Sequence, residues 1–315
     1  MTGRVTIVGA GLIGRSWAVA FARGGHPVAL HDRDEAAIAA ALKAIPADLE
    51  ALHELSLLGR QPLAAVATRI EGASRLEDAL AGAVHVQESA PEDPGIKRDL
   101  FAALDAAAPP DAVLASSTSA LLPSAFAPRG TGAARCLVAH PLNPPHLIPA
   151  VEIVPGPATA PEAVARTRAL MASIGQSPIE TTREIEGFVM NRLQGALLDE
   201  AFALVKQGIA TPGDVDVAMR DGLARRWAFM GPFETIDLNA PGGVADFMDR
   251  YSAAYAAIGV GRPARPSWSG PLRERIAAHC AAALPPEDRA ERMRWRDAVL
   301  ARLASLLAHA RDEPR

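Results

Sequence analysis

Val5-Thr6-Ile7-Val8-Gly9-Ala10-Gly11-Leu12-Ile13-Gly14-Arg15-Ser16-Trp17 is the stretch that decides the fold. Four residues suited to a buried strand run directly into a glycine-rich turn, and the turn runs directly into a segment with helical apolar spacing, Ile13–Phe21. A lone GxGxxG is weak evidence, but between a strand and a helix it specifies a dinucleotide-binding turn. Gly9 permits the tight turn, Gly11 lets the backbone approach a pyrophosphate, and Gly14 lets helix pack on strand. The helix start at Leu12 and Ile13 offers free N–H groups and a positive dipole end to phosphates. A second strand, Pro27–His31, is followed by Asp32, where such a fold places its ribose ligand. A carboxylate there accepts from a ribose 2′-hydroxyl and repels a 2′-phosphate, so the expected cofactor is NAD rather than NADP, a preference that the adjacent Arg33 softens.

Working outward, further apolar runs stand at Val84–Gln87, Ala112–Ala115, Cys136–Ala139 and Val151–Val154, separated by helical patterns such as Ile96–Leu104. Short buried strands interleaved with helices imply an α/β fold, a Rossmann-type doubly wound and mostly parallel sheet. After about Glu186 the pattern changes. Leu193, Ala196, Leu197, Ala201 and Leu204 recur at helical spacing, Thr211-Pro212-Gly213-Asp214 reads as a helix start, and Ile276–Leu307 is again helical, with no convincing strand. The expected organisation is an NAD-binding domain over residues 1–185 and an all-helical substrate and dimerisation domain over 186–315.

Composition narrows the partners. With 32 basic and 36 acidic side chains among 315 residues, and a net charge of −4, the chain offers no polycationic surface for nucleic acid. No apolar stretch approaches the roughly 20 residues of a membrane span. Cys136 and Cys280 have neither CxxC nor metal-ligand spacing, so no metal is expected. With no charged-then-apolar leader ahead of Val5, the cytoplasm is the expected compartment. The cysteines, Trp268 and the histidines other than His140 read as packing or surface residues.

His140 ends one apolar run and Glu152 interrupts the next, with Pro141-Leu142-Asn143-Pro144-Pro145 between them, too proline-rich for a helix and suited to a stiff loop between strands. Histidine titrates near neutrality, and a carboxylate fixes its tautomer and stabilises its charged form, so the pair suits removal of a proton from an alcohol. Ser116-Ser117-Thr118-Ser119 follows a buried strand, and ligands bind at strand C-termini in open α/β sheets. Asn191 stands where the first long helix of the second half begins.

Together these residues resemble the L-3-hydroxyacyl-CoA dehydrogenase superfamily over essentially the whole chain, and within it the lambda-crystallin, or L-gulonate 3-dehydrogenase, branch. Branch-like segments include Gly14-Arg15-Ser16-Trp17-Ala18, His140-Pro-Leu-Asn-Pro-Pro145, Trp227-Ala-Phe-Met-Gly-Pro-Phe-Glu234-Thr and Trp295-Arg296-Asp297. The resemblance implies His140 as general base, Glu152 as its partner, Ser119 and Asn191 as substrate residues, and cofactor-side contacts at Glu92, Lys97, Ser117 and Asn143. It also implies a homodimer through the helical domain, where Phe229, Phe233, Ile236, Leu238, Phe247 and Tyr251 are candidates for an interface as much as for a core.

Acyl-CoA members carry a lysine-rich helical excursion after the second strand. Here the comparable stretch, Arg33–Asp78, holds five basic residues (Arg33, Lys43, Arg60, Arg69, Arg75) against eight acidic ones (Asp34, Glu35, Asp48, Glu50, Glu54, Glu71, Glu77, Asp78). That balance is a poor cradle for CoA phosphates. The expected substrate is a small free L-3-hydroxy acid, its carboxylate held by Arg226, with a 3-hydroxyacyl-CoA such as 3-hydroxybutyryl-CoA as the alternative. A crystallin-like structural role and an NAD sensor without turnover are the non-enzymatic alternatives, and a sensor has no need of His140.

Overall fold

The computed structural model describes residues 3–260 and 286–312, with positions 270, 271, 274, 278 and 282. Its strands are β1 (Arg4–Val8), β2 (Val28–His31), β3 (Ile70–Ala73), β4 (Ala83–Glu88), β5 (Val113–Ser116), β6 (Cys136–Pro141), β7 (Ala150–Pro155) and β8 (Ser177–Glu180). They form one sheet in the order β3-β2-β1-β4-β5-β6-β7-β8. From β3 to β6 every neighbouring pair is parallel, which is the Rossmann order. β7 then runs antiparallel to β6, and β8 runs parallel to β7.

The connecting helices are α1 (Leu12–Arg23), α2 (Glu35–Glu54), α3 (Leu63–Ala67), α4 (Leu76–Leu80), α5 (Pro94–Ala107), α6 (Pro123–Phe126) and α7 (Pro161–Ser173). Side chains of successive strand residues alternate between two cores. Leu137, Ala139, Val151 and Ile153 join Trp17, Phe21, Leu49 and Met171 in one. Cys136, Val138 and Val154 join Phe101, Phe126 and Phe188 in the other. His140 and Glu152 follow the same alternation as Val138 and Val154 and so share the second face.

Six of the eight strands fall within a residue or two of the expected runs. β3 and β8 lie at the sheet edges, carry the half-exposed sequences Ile-Glu-Gly-Ala and Ser-Pro-Ile-Glu, and so show no continuous apolar run.

By contacts the chain forms two units, one of residues 1–191 with 294–315 and one of 192–293. The expected division at 185/186 lies a few residues earlier. The C-terminal helix Arg289–Asp312 groups from Arg294 onward with the first unit, because Ala301 is buried in its main core and Ser305 donates to the Leu55 carbonyl at 3.0 Å.

The helices after β8 begin with α8 (Met190–Lys206), α9 (Pro212–Val217), α10 (Ala224–Trp227), α11 (Pro232–Asp237) and α12 (Gly243–Val260). α9 starts at a complete Thr211/Asp214 capping box. No strand occurs among the described residues of this part. The expected Ile276–Leu307 helix falls partly outside the described residues, as do Trp268, His279 and Cys280.

Two buried histidines make the first unit acid-sensitive. Burial pushes His85 and His146 down from the ordinary 6.5 to about 4, so both stay neutral in the folded chain at pH values where the unfolded chain is protonated. Their contribution is complete above about pH 6.5 and is lost as pH falls from there toward 4. Urea unfolding midpoints should therefore decline between pH 7 and 4.5, with a shallower decline in His85→Asn. A flat profile down to pH 5 would contradict this.

Candidate active site

Three structural groups converge at the C-terminal ends of β1, β4, β5 and β6. The first is the β1–α1 turn. Gly9 has φ +106°, and a Cβ there would stand 2.6 Å from the Ser89 carbonyl oxygen. A Cβ at Gly14 would stand 1.8 Å from the Gly9 carbonyl oxygen, so only glycine lets α1 close onto the turn. At Gly11 nothing lies within 4 Å, and the residue borders a cavity of about 540 Å³ shared with Gly9, Asp32, Arg33, Ser89, Ala90, Pro91, Ile96 and Leu100. Leu12 and Ile13 form the first turn of α1 beside it. Asp32 accepts from Ala10 N at 2.8 Å and from Asp34 N at 3.0 Å, so its carboxylate is fixed at the cavity's edge with lone pairs to spare. A bare backbone approach at a helix start and a hydroxyl acceptor across the same cavity fit an NAD adenosine and pyrophosphate.

The second group is the His140–Glu152 pair. The antiparallel reversal at β6–β7 sets the two residues directly opposite one another in register. Their side chains therefore meet, with Nδ1 of His140 2.6 Å from Oε2 of Glu152. Glu152 is fully buried and His140 nearly so. A buried carboxylate must be satisfied by donors, and the other oxygen of Glu152 receives two: Val189 N at 2.6 Å and Met190 N at 2.8 Å, at the start of α8. Phe188 packs on the imidazole with ring centroids 5.4 Å apart, and it holds φ +48°, a left-handed conformation that costs a phenylalanine roughly 1–2 kcal/mol. Nε2 of His140 has no hydrogen-bond partner among the described residues, which leaves it as the nitrogen available to a ligand.

The third group is the turn after β5. Ser119 is exposed, its carbonyl accepts from Asn191 Nδ2 at 2.7 Å, and both residues border a cavity of about 490 Å³. Met190 N binds Glu152, so the backbone that carries Asn191 to Ser119 is anchored on the partner of His140. Glu92 turns toward the same turn, accepting from Thr118 Oγ1 and from Ala120 N at 3.1 Å.

Other expected contacts stand differently. Lys97 is fully buried and bound to Glu88 at 2.8 and 3.0 Å, with Glu92 3.8 Å away. The hydroxyl of Ser117 is engaged by Trp17 Nε1, Gln87 Nε2 and Ser89 Oγ. Asn143 is exposed on the β6–β7 loop. Arg226 belongs to the second unit, where it is exposed on α10.

Glu88, buried and satisfied by Lys97, Ser116 Oγ and Ala90 N, is the residue the sequence reading passed over. Its signal is the one that singled out His140, a titratable side chain ending a buried apolar strand. A cavity of about 970 Å³ beside α7 and the edge strand β8 contains none of these residues. Among the described residues no group of three or more His, Cys, Asp or Glu could hold a metal ion, and no helix is long and apolar enough to cross a membrane.

The NAD binding domain of 3-hydroxyacyl-CoA dehydrogenase matches residues 4–185, and the C-terminal domain of the same enzymes matches residues 187–266. The chain belongs to the 3-hydroxyacyl-CoA dehydrogenase family. It is an NAD-dependent oxidoreductase of that family. Lambda-crystallin of Oryctolagus cuniculus is 44% identical over 307 residues, covering 96% of each chain. An L-carnitine dehydrogenase of Pseudomonas sp is 41% identical over 246 residues, covering 77% of this chain and 76% of that one. Among solved structures, an NAD+-dependent dismutase, 5-formyl-3-hydroxy-2-methylpyridine 4-carboxylic acid 5-dehydrogenase, is similar with a TM-score of 0.83 at 28% identity, over 98% of this chain and 99% of that one.

The Asp32 geometry yields a direct test. Asp32→Ala should weaken NADH binding roughly tenfold to a hundredfold, the scale of hydrogen bonds to a charged group, and weaken NADPH binding far less. Fluorescence titration with both nucleotides measures this, and equal losses would refute the ribose assignment.

Proposed function

We propose that the protein is an L-3-hydroxy acid dehydrogenase of the L-gulonate 3-dehydrogenase type, acting on a small substrate with a free carboxylate. The observation that carries this reading is the buried His140–Glu152 pair, with Nε2 free, tied by the Met190 amide to the start of α8, whose next residue, Asn191, donates to the Ser119 carbonyl. NAD, when bound, supplies the acceptor for the hydride that leaves C3 of the alcohol. His140 Nε2 takes the hydroxyl proton, and Glu152 stabilises the imidazolium and holds the ring in position. Asn191 uses one N–H on the Ser119 carbonyl, so its second N–H and the Ser119 hydroxyl are free to donate to the substrate oxygen. A non-catalytic crystallin or sensor role would leave this satisfied, pre-oriented base without a task.

The substrate class rests on charge. Of the five basic residues between Arg33 and Asp78, Arg69 is tied down by the Ala22 carbonyl and Gln61, and Arg75 lies beside Glu77. Little cationic surface is left for CoA phosphates. The name of one group of relatives, L-carnitine dehydrogenase, carries a small molecule rather than a CoA ester. Arg226 is the proposed carboxylate ligand, suited to a bidentate contact. Exposed Trp227, Phe229, Phe233 and Leu238 on the second unit support a homodimer through the helical domain, with Arg226 serving its own or the partner copy's site. The family's namesake chemistry makes a 3-hydroxyacyl-CoA the runner-up substrate, and a cytoplasmic location accords with the sparse cysteines.

Turnover of NAD with L-gulonate, L-3-hydroxybutyrate, carnitine and 3-hydroxybutyryl-CoA, measured side by side, should favour a free acid. A strong preference for the CoA ester would overturn the substrate assignment. His140→Asn should leave NADH binding nearly intact and lower kcat by about 10²–10⁴-fold. Near-normal turnover would remove His140 from the mechanism.

A further inference from the structure

The peptide carrying Ser119 is held from three directions. On one side Thr118, almost fully buried, donates its hydroxyl to Glu92 and accepts from Leu121 N at 2.9 Å. On the other side Ala120 N donates to the same Glu92 oxygen at 3.1 Å. The carbonyl of Ser119 receives Asn191. Glu92 is in turn steered by Lys97, which is itself fixed to the buried Glu88 at the end of β4. The chain of charges Glu88–Lys97–Glu92 thus runs from the rigid sheet to an exposed turn and ends on the Thr118 hydroxyl and the Ala120 amide, one on each side of a single serine.

An exposed serine has little intrinsic reason to be braced so heavily. If its hydroxyl is to donate to a substrate oxygen, however, the backbone beneath it must not drift, since a displacement of about 1 Å can cost 10²-fold in rate. We propose that Thr118 is a positioning residue for Ser119, acting with Glu92 to lock the turn so that the Ser119 hydroxyl faces the reacting oxygen. This assignment rests on the reading of Ser119 given above. It gives Glu92 and Lys97 a second duty directed inward at the turn, in addition to any contact with the cofactor.

A double-mutant cycle separates this role from simple stabilisation of the fold. Thr118→Val keeps the shape and removes the hydroxyl. It should lower kcat roughly tenfold to a hundredfold, leave the NADH dissociation constant within about twofold, and speed amide hydrogen exchange in the peptide spanning residues 117–122. Thr118→Ser should restore both rate and protection. In a Ser119→Ala background Thr118→Val should cost almost nothing further, because the group it positions is gone. Full additivity in that background, or unchanged exchange in Thr118→Val, would overturn the proposal. A wild-type protein that oxidises no 3-hydroxy acid would count against the functional reading, while the exchange measurement would still judge the clamp.

Discussion

The structure turns on a carboxylate shut away from solvent, Glu152. Glu152 is fully buried, and an ionised group in that position is tolerable only when donors replace its hydration. It finds three, from places far apart in the sequence: the His140 ring on the neighbouring strand and the amides of Val189 and Met190 at the start of α8. One side chain therefore fixes the orientation of the His140 ring and anchors the helix start that brings Asn191 to Ser119. The left-handed backbone of Phe188 follows from the same demand, because the chain must turn sharply there to present two successive N–H groups to one oxygen.

That meeting depends on topology. In a continuous parallel sheet His140 would have no directly opposed partner reached by a short loop, since parallel strands need long crossovers. The reversal of β7 supplies one within twelve residues and keeps both side chains on the face shared with Val138, Val154 and Phe188. The parallel half of the sheet carries the glycine-rich turn and the reversed corner carries the His140–Glu152 pair, with Glu88 and Ser116 side by side at the ends of β4 and β5 between them.

How much of this could be read from the sequence depends on how local the physics is. The Gly9–Gly14 turn was legible because its constraints, a positive φ and a helix closing to within contact of the Gly9 carbonyl, act over six residues. The His140–Glu152 pairing was legible because one residue ends an apolar run and the other interrupts the next, and a buried polar side chain in such a place needs a partner. β3 and β8 were not, since edge strands are only half covered and lack the apolar pattern. Glu88 was passed over and Lys97 was read only as a cofactor contact, because their pairing joins the end of a strand to the face of α5, a distance that periodicity does not encode. The partners of the Ser117 hydroxyl, Trp17 and Gln87, are distant in sequence and were not legible either.

The most direct test of the account is a crystal structure of the protein with NADH and a 3-hydroxy or 3-keto acid bound. The account predicts His140 Nε2 within about 3 Å of the C3 oxygen, on a ring still held by Glu152, with the nicotinamide lying across the same carbon. A substrate oxygen out of reach of His140, or a nicotinamide directed away from it, would contradict the account.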